Sequence, residues 1–276
     1  MRPRLSTAMR YAILLLALLV FAYPLLWMLF TAIRPEGEIL AHPFGLPLKP
    51  TADHLALVLR SGGFGRAYVN SLLLCAASVA VATACAAGAG FALARLDPPW
   101  RGGWLLLFVI GMMVPIHVML VPLNRLLGPG GFGWRGSLWV PLGPYVAFSL
   151  PVSVLILRNA FRHVPEELFE AARIDGCGRW RMFASVALPL VRPALATVVI
   201  FNALTLWNEF AFALTLIADQ RDRTLPLALW QFKGEHGMYV GQTCAALCVS
   251  VVPLLLVYAV AQRHIIRGLT AGATKG

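Results

Sequence analysis

Long apolar runs, separated by short polar stretches that carry arginine, make up most of the chain. Crossing hydrocarbon as a helix takes about 20 mostly apolar residues. Six runs meet that length, at roughly 11–33, 68–94, 103–126, 138–159, 194–217 and 241–262. The pattern predicts an all-α, polytopic integral membrane protein with about six transmembrane helices, forming one domain over residues 1–276. The first run is longer than a signal-peptide core and lacks a small-residue cleavage site. It also holds Tyr23-Pro24 and Trp27, so it reads as an uncleaved span.

Composition agrees with this reading. Of 276 residues, 59% are hydrophobic and 13% charged, against about a quarter charged in soluble domains. The net charge of +11 would suit nucleic acid only on a water-soluble body with a basic face. Here the basic residues lie between apolar runs, so nucleic acid is excluded as a partner and membrane lipid takes its place. Cytoplasmic loops are enriched in Lys and Arg. With the N-terminus inside, fourteen of the 23 Lys and Arg fall on inner segments and nine on outer ones. That bias predicts an N-in, C-in topology. Residues 34–67 then form an outer loop, and residues 160–193 an inner loop longer than most helix connections.

The inner loop has a design of its own. Pro165 suits a helix's first turn, and Glu166 and Glu167 suit its positive end, although His163 and Val164 are poor N-caps. Leu168, Phe169, Ala172 and Ile174 give a short apolar side. Asp175-Gly176 offers a turn with a left-handed cap at the glycine. A second amphipathic piece follows from Gly178 to Leu188, ended by Pro189 and Pro193. This helix–turn–helix reads either as an interfacial connector or as a docking element, in which the small Ala171 and Ala172 permit close approach to a partner.

The run Glu170-Ala-Ala-x-x-Asp175-Gly176, followed by Phe183 and Val186-x-Leu188-Pro189, resembles the EAA loop of permease subunits of binding-protein-dependent ABC importers. Val186 stands where that family often has Ile, and Cys177 where it often has Ala. Leu157 to Leu168, Trp207-Asn208-Glu209-Phe210, Thr224-Leu-Pro-Leu and the tail from Gln262 to Gly276 resemble the carbohydrate-uptake class, of the maltose-type second permease. The resemblance implies an ABC importer permease fold in the cytoplasmic membrane of a bacterium and a carbohydrate or related polyol as solute. It implies a second permease as heterodimer partner, two separate ATP-binding subunits and an extracytoplasmic solute-binding protein. It places docking on the ATPase within residues 165–190, at Glu166, Glu170, Ala171, Ala172, Asp175 and Gly176, with Leu188 and Pro189 anchoring the loop to the membrane. ATP and Mg belong to the partner ATPase, so no cofactor is expected on this chain and no catalytic residue is assigned.

Within the spans, Glu209 is the one acidic residue deep in an apolar run, which makes it a functional candidate. Asn202, seven residues before it, faces the same way on a helix, with Thr205 near that stripe and Asn208 beside it. Asn202 and Thr205 read equally as a polar lining for a hydrophilic solute and as glue between helices; Asn208 and Glu209 lean toward the path. Asn70, at the head of the second span, joins the path candidates, with capping or glue as its plainer reading. Pro115 and Pro122 predict a kinked third span, and His117 between them reads as a packing residue rather than a ligand. Trp27, Trp100, Trp104, Trp139 and Tyr239 read as interface belts.

Other signals fail. Gly131 to Gly136 spells GxGxxG but follows no strand, and no GxxxxGK[ST] run exists to cradle ATP. The five cysteines form no CxxC pair, and Cys244 with Cys248 reads as packing, so no metal is assigned. A membrane-embedded enzyme would need several convergent ionisable groups, which the chain lacks. The alternatives kept open are a permease for another small solute of the same superfamily and, less favoured, an ion-coupled secondary transporter.

Overall fold

The computed structural model describes residues 7–128, 130–134, 136–231 and 239–273, and among them no strand occurs. The chain divides into two compact units, Met1–Gly65 with Ala228–Val252, and Arg66–Leu227 with Pro253–Gly276.

In the first unit, α1 (Thr7–Ala32) is a long apolar helix, exposed along most of its length and buried at Thr31 and Ala32. Helices α2 (Glu36–Ala41) and α3 (Asp53–Arg60) follow. The expected outer loop 34–67 is therefore structured, and Arg34 organises it. Its guanidinium is 1% exposed, pairs with Glu38 at 3.1 Å and donates to the carbonyls of Glu38 and His42 at 2.9 and 2.7 Å. Burying an arginine is tolerated only when it is paired and hydrogen-bonded; these contacts supply that at Nε and Nη2, while Nη1 finds no partner among the described residues. The Leu48 amide, donated to the Glu38 carboxylate, holds Glu38 below the usual glutamate range, with Arg34 adding to the effect.

The second unit begins within α4 (Gly62–Phe91), which continues through a wider π-type turn at Ala92–Leu96. Asp97 and Trp100 then take positive φ, 44° and 61°, and reverse the chain. The predicted third span is two helices, α5 (Arg101–Met113) and α6 (Ile116–Leu127), bent by 97°. Pro115 is the cause. It disfavours helical geometry at the residue before it, and Val114 is extended, at φ −75° and ψ 115°. The expected kink is thus a right-angle break.

Next come α7 (Leu142–Arg162) and α8 (Glu166–Ile174), then a short α9 (Arg179–Arg181), a π stretch Met182–Ala187 and α10 (Leu188–Leu190). A 79° bend at Val191 leads into α11 (Arg192–Trp207). That helix stops well before residue 217, where the fifth span was expected to end, and a separate α12 (Ala211–Leu216) follows. The last helices are α13 (Leu225–Gln231) and α14 (Val240–Ala273). Among the described residues four helices are long and apolar enough to cross a membrane unaided, and each bent pair counted as one span brings the total to six.

The core of the second unit is an aromatic cluster. Phe91 of α4 meets Phe161 of α7 edge-on at 5.6 Å, Phe183 of the π stretch at 5.1 Å and Phe169 of α8 at 6.3 Å. Such offset pairs add about 0.5–1.5 kcal/mol each beyond area burial. Gly90 lets the helices close: a Cβ there would lie 3.0 Å from the backbone nitrogen of Arg158 and 3.2 Å from the Leu157 side chain. Phe161 is completely buried. Phe161→Ala should destabilise the protein by about 3–5 kcal/mol, read as a lowered unfolding midpoint in detergent, whereas Leu→Ala at the outward-facing Leu15 should leave the midpoint unchanged.

Candidate functional site

The helix–turn–helix predicted between the fourth and fifth spans is present. Pro165 precedes α8 rather than occupying its first turn; with φ −55° and ψ 137° it is the capping residue, and Glu166 and Glu167 fill the first turn. At the other end the Asp175 amide bonds the Ala171 carbonyl, the Gly176 amide bonds Arg173 and the Cys177 amide bonds Ala172. Gly176 has φ +74°. A left-handed glycine with a bond spanning six residues is the Schellman termination. It stops α8 sharply and turns the chain toward Arg179.

The apolar side of α8 splits in two. Phe169 and Ala172, three apart, pack into the chain's own core with Phe91, Phe161 and Met182, and Ala172 is only 7% exposed. Its small size thus lets α8 close onto its own chain. Ile174, grouped by sequence with that side, faces out at 87% exposure. With it on the open face are Glu166, Glu167, Leu168, Glu170, Ala171 and Asp175. Of the two anchor positions, Leu188 packs against the core cluster and Pro189 is half-buried beside the bend into α11.

Arg95 is the functional candidate that sequence reasoning passed over, counting it only as a positive flank. It lies in the π turn ending α4. Its Nε and Nη2 donate to the Phe161 carbonyl at 3.0 and 2.7 Å. Nη2 also donates to the Val164 carbonyl, and Nη1 to the Glu166 carboxylate. The guanidinium carbon lies 4.4 Å from the centre of the Phe169 ring. Glu166 is held from its other oxygen by Arg173 at 3.1 Å. No local motif reveals this, because the partners lie more than sixty residues further along the chain.

The membrane candidates separate into joints and open positions. Asn202 is 1% exposed, and its amide donates to Ser153 Oγ of α7 at 3.0 Å, a bond between two packed helices. Asn70 donates at 3.0 Å to the carbonyls of both Arg221 and Arg223, and Ser71 beside it accepts from the Leu225 amide. Asn208 is the C-cap of α11 and donates to the Leu204 carbonyl at 2.8 Å. Since α11 ends at Trp207, Glu209 shares no helix face with Asn202. Its carboxylate accepts from the amides of Phe212 and Ala213, at 2.8 and 3.2 Å, and from the Tyr145 hydroxyl at 2.7 Å. Among these residues Thr205 and Asn208 are exposed. Thr205 donates back to the Phe201 carbonyl. His117 is also exposed, on α6, and all five cysteines are free.

A groove of about 660 Å³ runs between α4, α11 and the Pro253–Val257 stretch of α14. Its wall is almost wholly apolar, from Leu72, Val79, Ala84, Leu195, Val199 and Trp207, with Cys75 and Thr83 as polar exceptions.

Two experiments follow from these contacts. Glu209→Ala strands three donors, each costing about 1–3 kcal/mol when buried, so it should lower the unfolding midpoint sharply. Glu209→Gln, which keeps one acceptor oxygen, should fall between; a changed KM with unchanged stability would instead mark a path residue. At Gly176 a Cβ would meet nothing within 4 Å, so only backbone strain of about 1–2 kcal/mol opposes a side chain. Gly176→Asn should keep the hydrogen-exchange protection of the Cys177 amide, and Gly176→Val should lose it.

Comparisons with known proteins bear on the family and the fold. Residues 86–271 match the family described as binding-protein-dependent transport system inner membrane component. The chain is 34% identical over 271 residues to the diacetylchitobiose uptake system permease protein NgcG of Streptomyces coelicolor, covering 98% of this chain and 89% of that one. It is 32% identical over 267 residues to the trehalose/maltose transport system permease protein MalG of Thermococcus litoralis, covering 95% and 94%. Its fold matches a chain in the crystal structure of a bacterial ABC transporter involved in the import of the acidic polysaccharide alginate, with a TM-score of 0.78, 22% identity and coverage of 95% and 99%. A polytopic helical chain that ends α8 on a left-handed glycine and matches this family over two thirds of its length belongs to the inner-membrane permease components of binding-protein-dependent ABC transport systems.

Proposed function

We propose that this chain is one of two permease subunits of an importer for a carbohydrate or related polyol, driven by ATP hydrolysis on two separate subunits. The observation that carries the docking half of this reading is the face of α8 left open by the fold. Ile174 stands out at 87% exposure beside Ala171, with Glu170 and the Gly176 turn next to them. An isoleucine so exposed on a nine-residue helix gains by entering a cleft on a partner. Leu168, half-turned outward, widens the apolar patch, and Asp175 with Glu170 supplies charge at its rim. ATP and Mg then stay on the partner. The bias of Lys and Arg toward the inner segments supports a cytoplasmic α8 with both termini inside.

The carbohydrate class rests on the named uptake systems of the two relatives and on the Trp207–Phe210 and Thr224–Leu227 runs. A polyhydroxylated solute needs hydrogen-bonding partners, and the apolar groove offers few. This subunit's share of the path is therefore the open face of α11 at Thr205 and Asn208, completed by the second permease. Asn70, Asn202 and Glu209 act as structural joints beside it. An extracytoplasmic solute-binding protein delivers the solute.

The test is uptake into vesicles holding the full transporter. Radiolabelled disaccharide should enter only with ATP and the solute-binding protein; uptake that persists without ATP and collapses with the ion gradient would reverse the reading in favour of a secondary transporter. Full burial of an isoleucine is worth about 1.5–3 kcal/mol, and 1.4 kcal/mol is tenfold in affinity. Ile174→Asp should therefore weaken retention of the ATPase on affinity-purified permease by at least about tenfold, with insertion and yield unchanged.

A further inference from the structure

We infer that Arg95 is the positioning residue that fastens α8 to the end of α4, so that a displacement of the docking helix reaches the long span as a rigid movement. The inference rests on the docking proposed for α8 and adds the route by which that docking acts.

Three elements converge on one guanidinium. The carbonyls of Phe161 and Val164, at and just beyond the C-terminal turn of α7, accept from it. The Phe161 carbonyl also accepts the Val164 amide at 3.3 Å, so the guanidinium adds to a turn that closes the helix, and the negative end of the helix dipole favours a cation there. The first-turn carboxylate of α8, Glu166, accepts from its Nη1. The ring of Phe169, the buried anchor of α8, covers its face. Side-chain burial at Arg95 is nearly complete, at 11% exposure, while Glu166 remains half open. The surface pair alone would contribute little. The restraint comes from the combination of fixed carbonyls, a stacked ring and a planar donor fork that cannot reorient without giving up several bonds together.

The backbone around Arg95 fits this task. The π turn Ala92–Leu96 widens the helix where the side chain must project, and such bulges are frequent at functional sites. Leu93 is buried in the same aromatic cluster as Phe161, Phe169 and Met182. Asp97, at φ 44°, ends the helix immediately afterwards. The last turn of α4 is thus locked by apolar packing on one side and by the guanidinium on the other. A movement of α8 then has no slack to take up before α4 responds. Rigid-body transmission of this kind requires packed contacts that shift together.

Lysine at this position would keep the charge but not the fork or the stacking surface. Spin labels at Leu96→Cys and Glu170→Cys, both exposed sites, report the joint in the purified chain on a background with its own cysteines replaced. Uptake per ATP hydrolysed reports it in the reconstituted transporter. With Arg95 present the label distance should be narrowly distributed. Arg95→Lys should broaden it, leave the bound ATPase and its hydrolysis rate within twofold, and lower uptake per ATP by about tenfold, within the range reported for substitutions along coupling networks. Arg101→Ala, at the neighbouring exposed pair with Asp97, should change neither quantity. A distribution as narrow in Arg95→Lys as with arginine overturns the joint, whether or not an ATPase binds; so does unchanged uptake per ATP. Failure of the unsubstituted permease to retain any ATPase overturns the docking reading instead, and the label distances alone then decide on Arg95. Glu166→Gln, which removes the charge and leaves the ring stacked, gives a milder second variant should Arg95→Lys fail to accumulate.

Discussion

A helix that stops leaves amides and carbonyls in need of partners, and this constraint explains where several polar side chains of the second unit lie. Every interruption of a membrane helix exposes amides or carbonyls that cost several kcal/mol each if left unpaired. The chain meets that demand with a small number of side chains placed at the breaks. Arg95 takes the carbonyls where α7 gives way to α8. Glu209 takes the amides that open α12. Asn70 and Ser71 take the carbonyls and the amide of the 221–225 segment. The breaks and the polar residues are one design, since neither is stable without the other.

The same constraint changes the meaning of an intramembrane charge. Sequence reasoning treats Glu209 as a functional group because burial of a carboxylate is expensive. Here the expense is met by three hydrogen bonds, and the carboxylate acts as a cap that lets α11 end and α12 begin. Asn202 likewise spends its amide on Ser153 across the α7–α11 contact. What remains open on α11 and its cap is more modest chemistry, an exposed threonine and an exposed asparagine whose own donors return to the preceding turn.

The spans, up to six among the described residues, the hairpin between the fourth and fifth of them and the left-handed turn at Gly176 were legible because each depends on residues adjacent in sequence: apolar run length, a proline-acid start, an Asp-Gly stop. The break at Val114 was half legible, since Pro115 announced a kink but gave no angle. The end of α11 at Trp207 was not, because an apolar run reads the same with or without a cap, and Glu209 does its capping from within that run. The split face of α8 was misread for a geometric reason. Residues 168, 169, 172 and 174 cannot share one side of a helix with 3.6 residues per turn; Phe169 and Ala172 go inward and Ile174 is carried outward. Arg95 was invisible because its partners come from a different helix, brought to it only by the packing of Phe91 against Phe161 and Phe169.

That packing also separates what the hairpin must hold firmly from what it must leave free. If the buried side of α8 were polar, the helix would float on the membrane surface and a partner could move it without effect. If its open side were as apolar as its buried side, it would sink into the cluster and offer nothing to grip. The sequence avoids both outcomes by spacing Phe169 and Ala172 for the core and leaving Ile174 and Ala171 exposed. A nine-residue helix is too short to be stable in water by itself. Its order therefore comes from the inward contacts, and the outward ones are available for work only because the inward ones are complete.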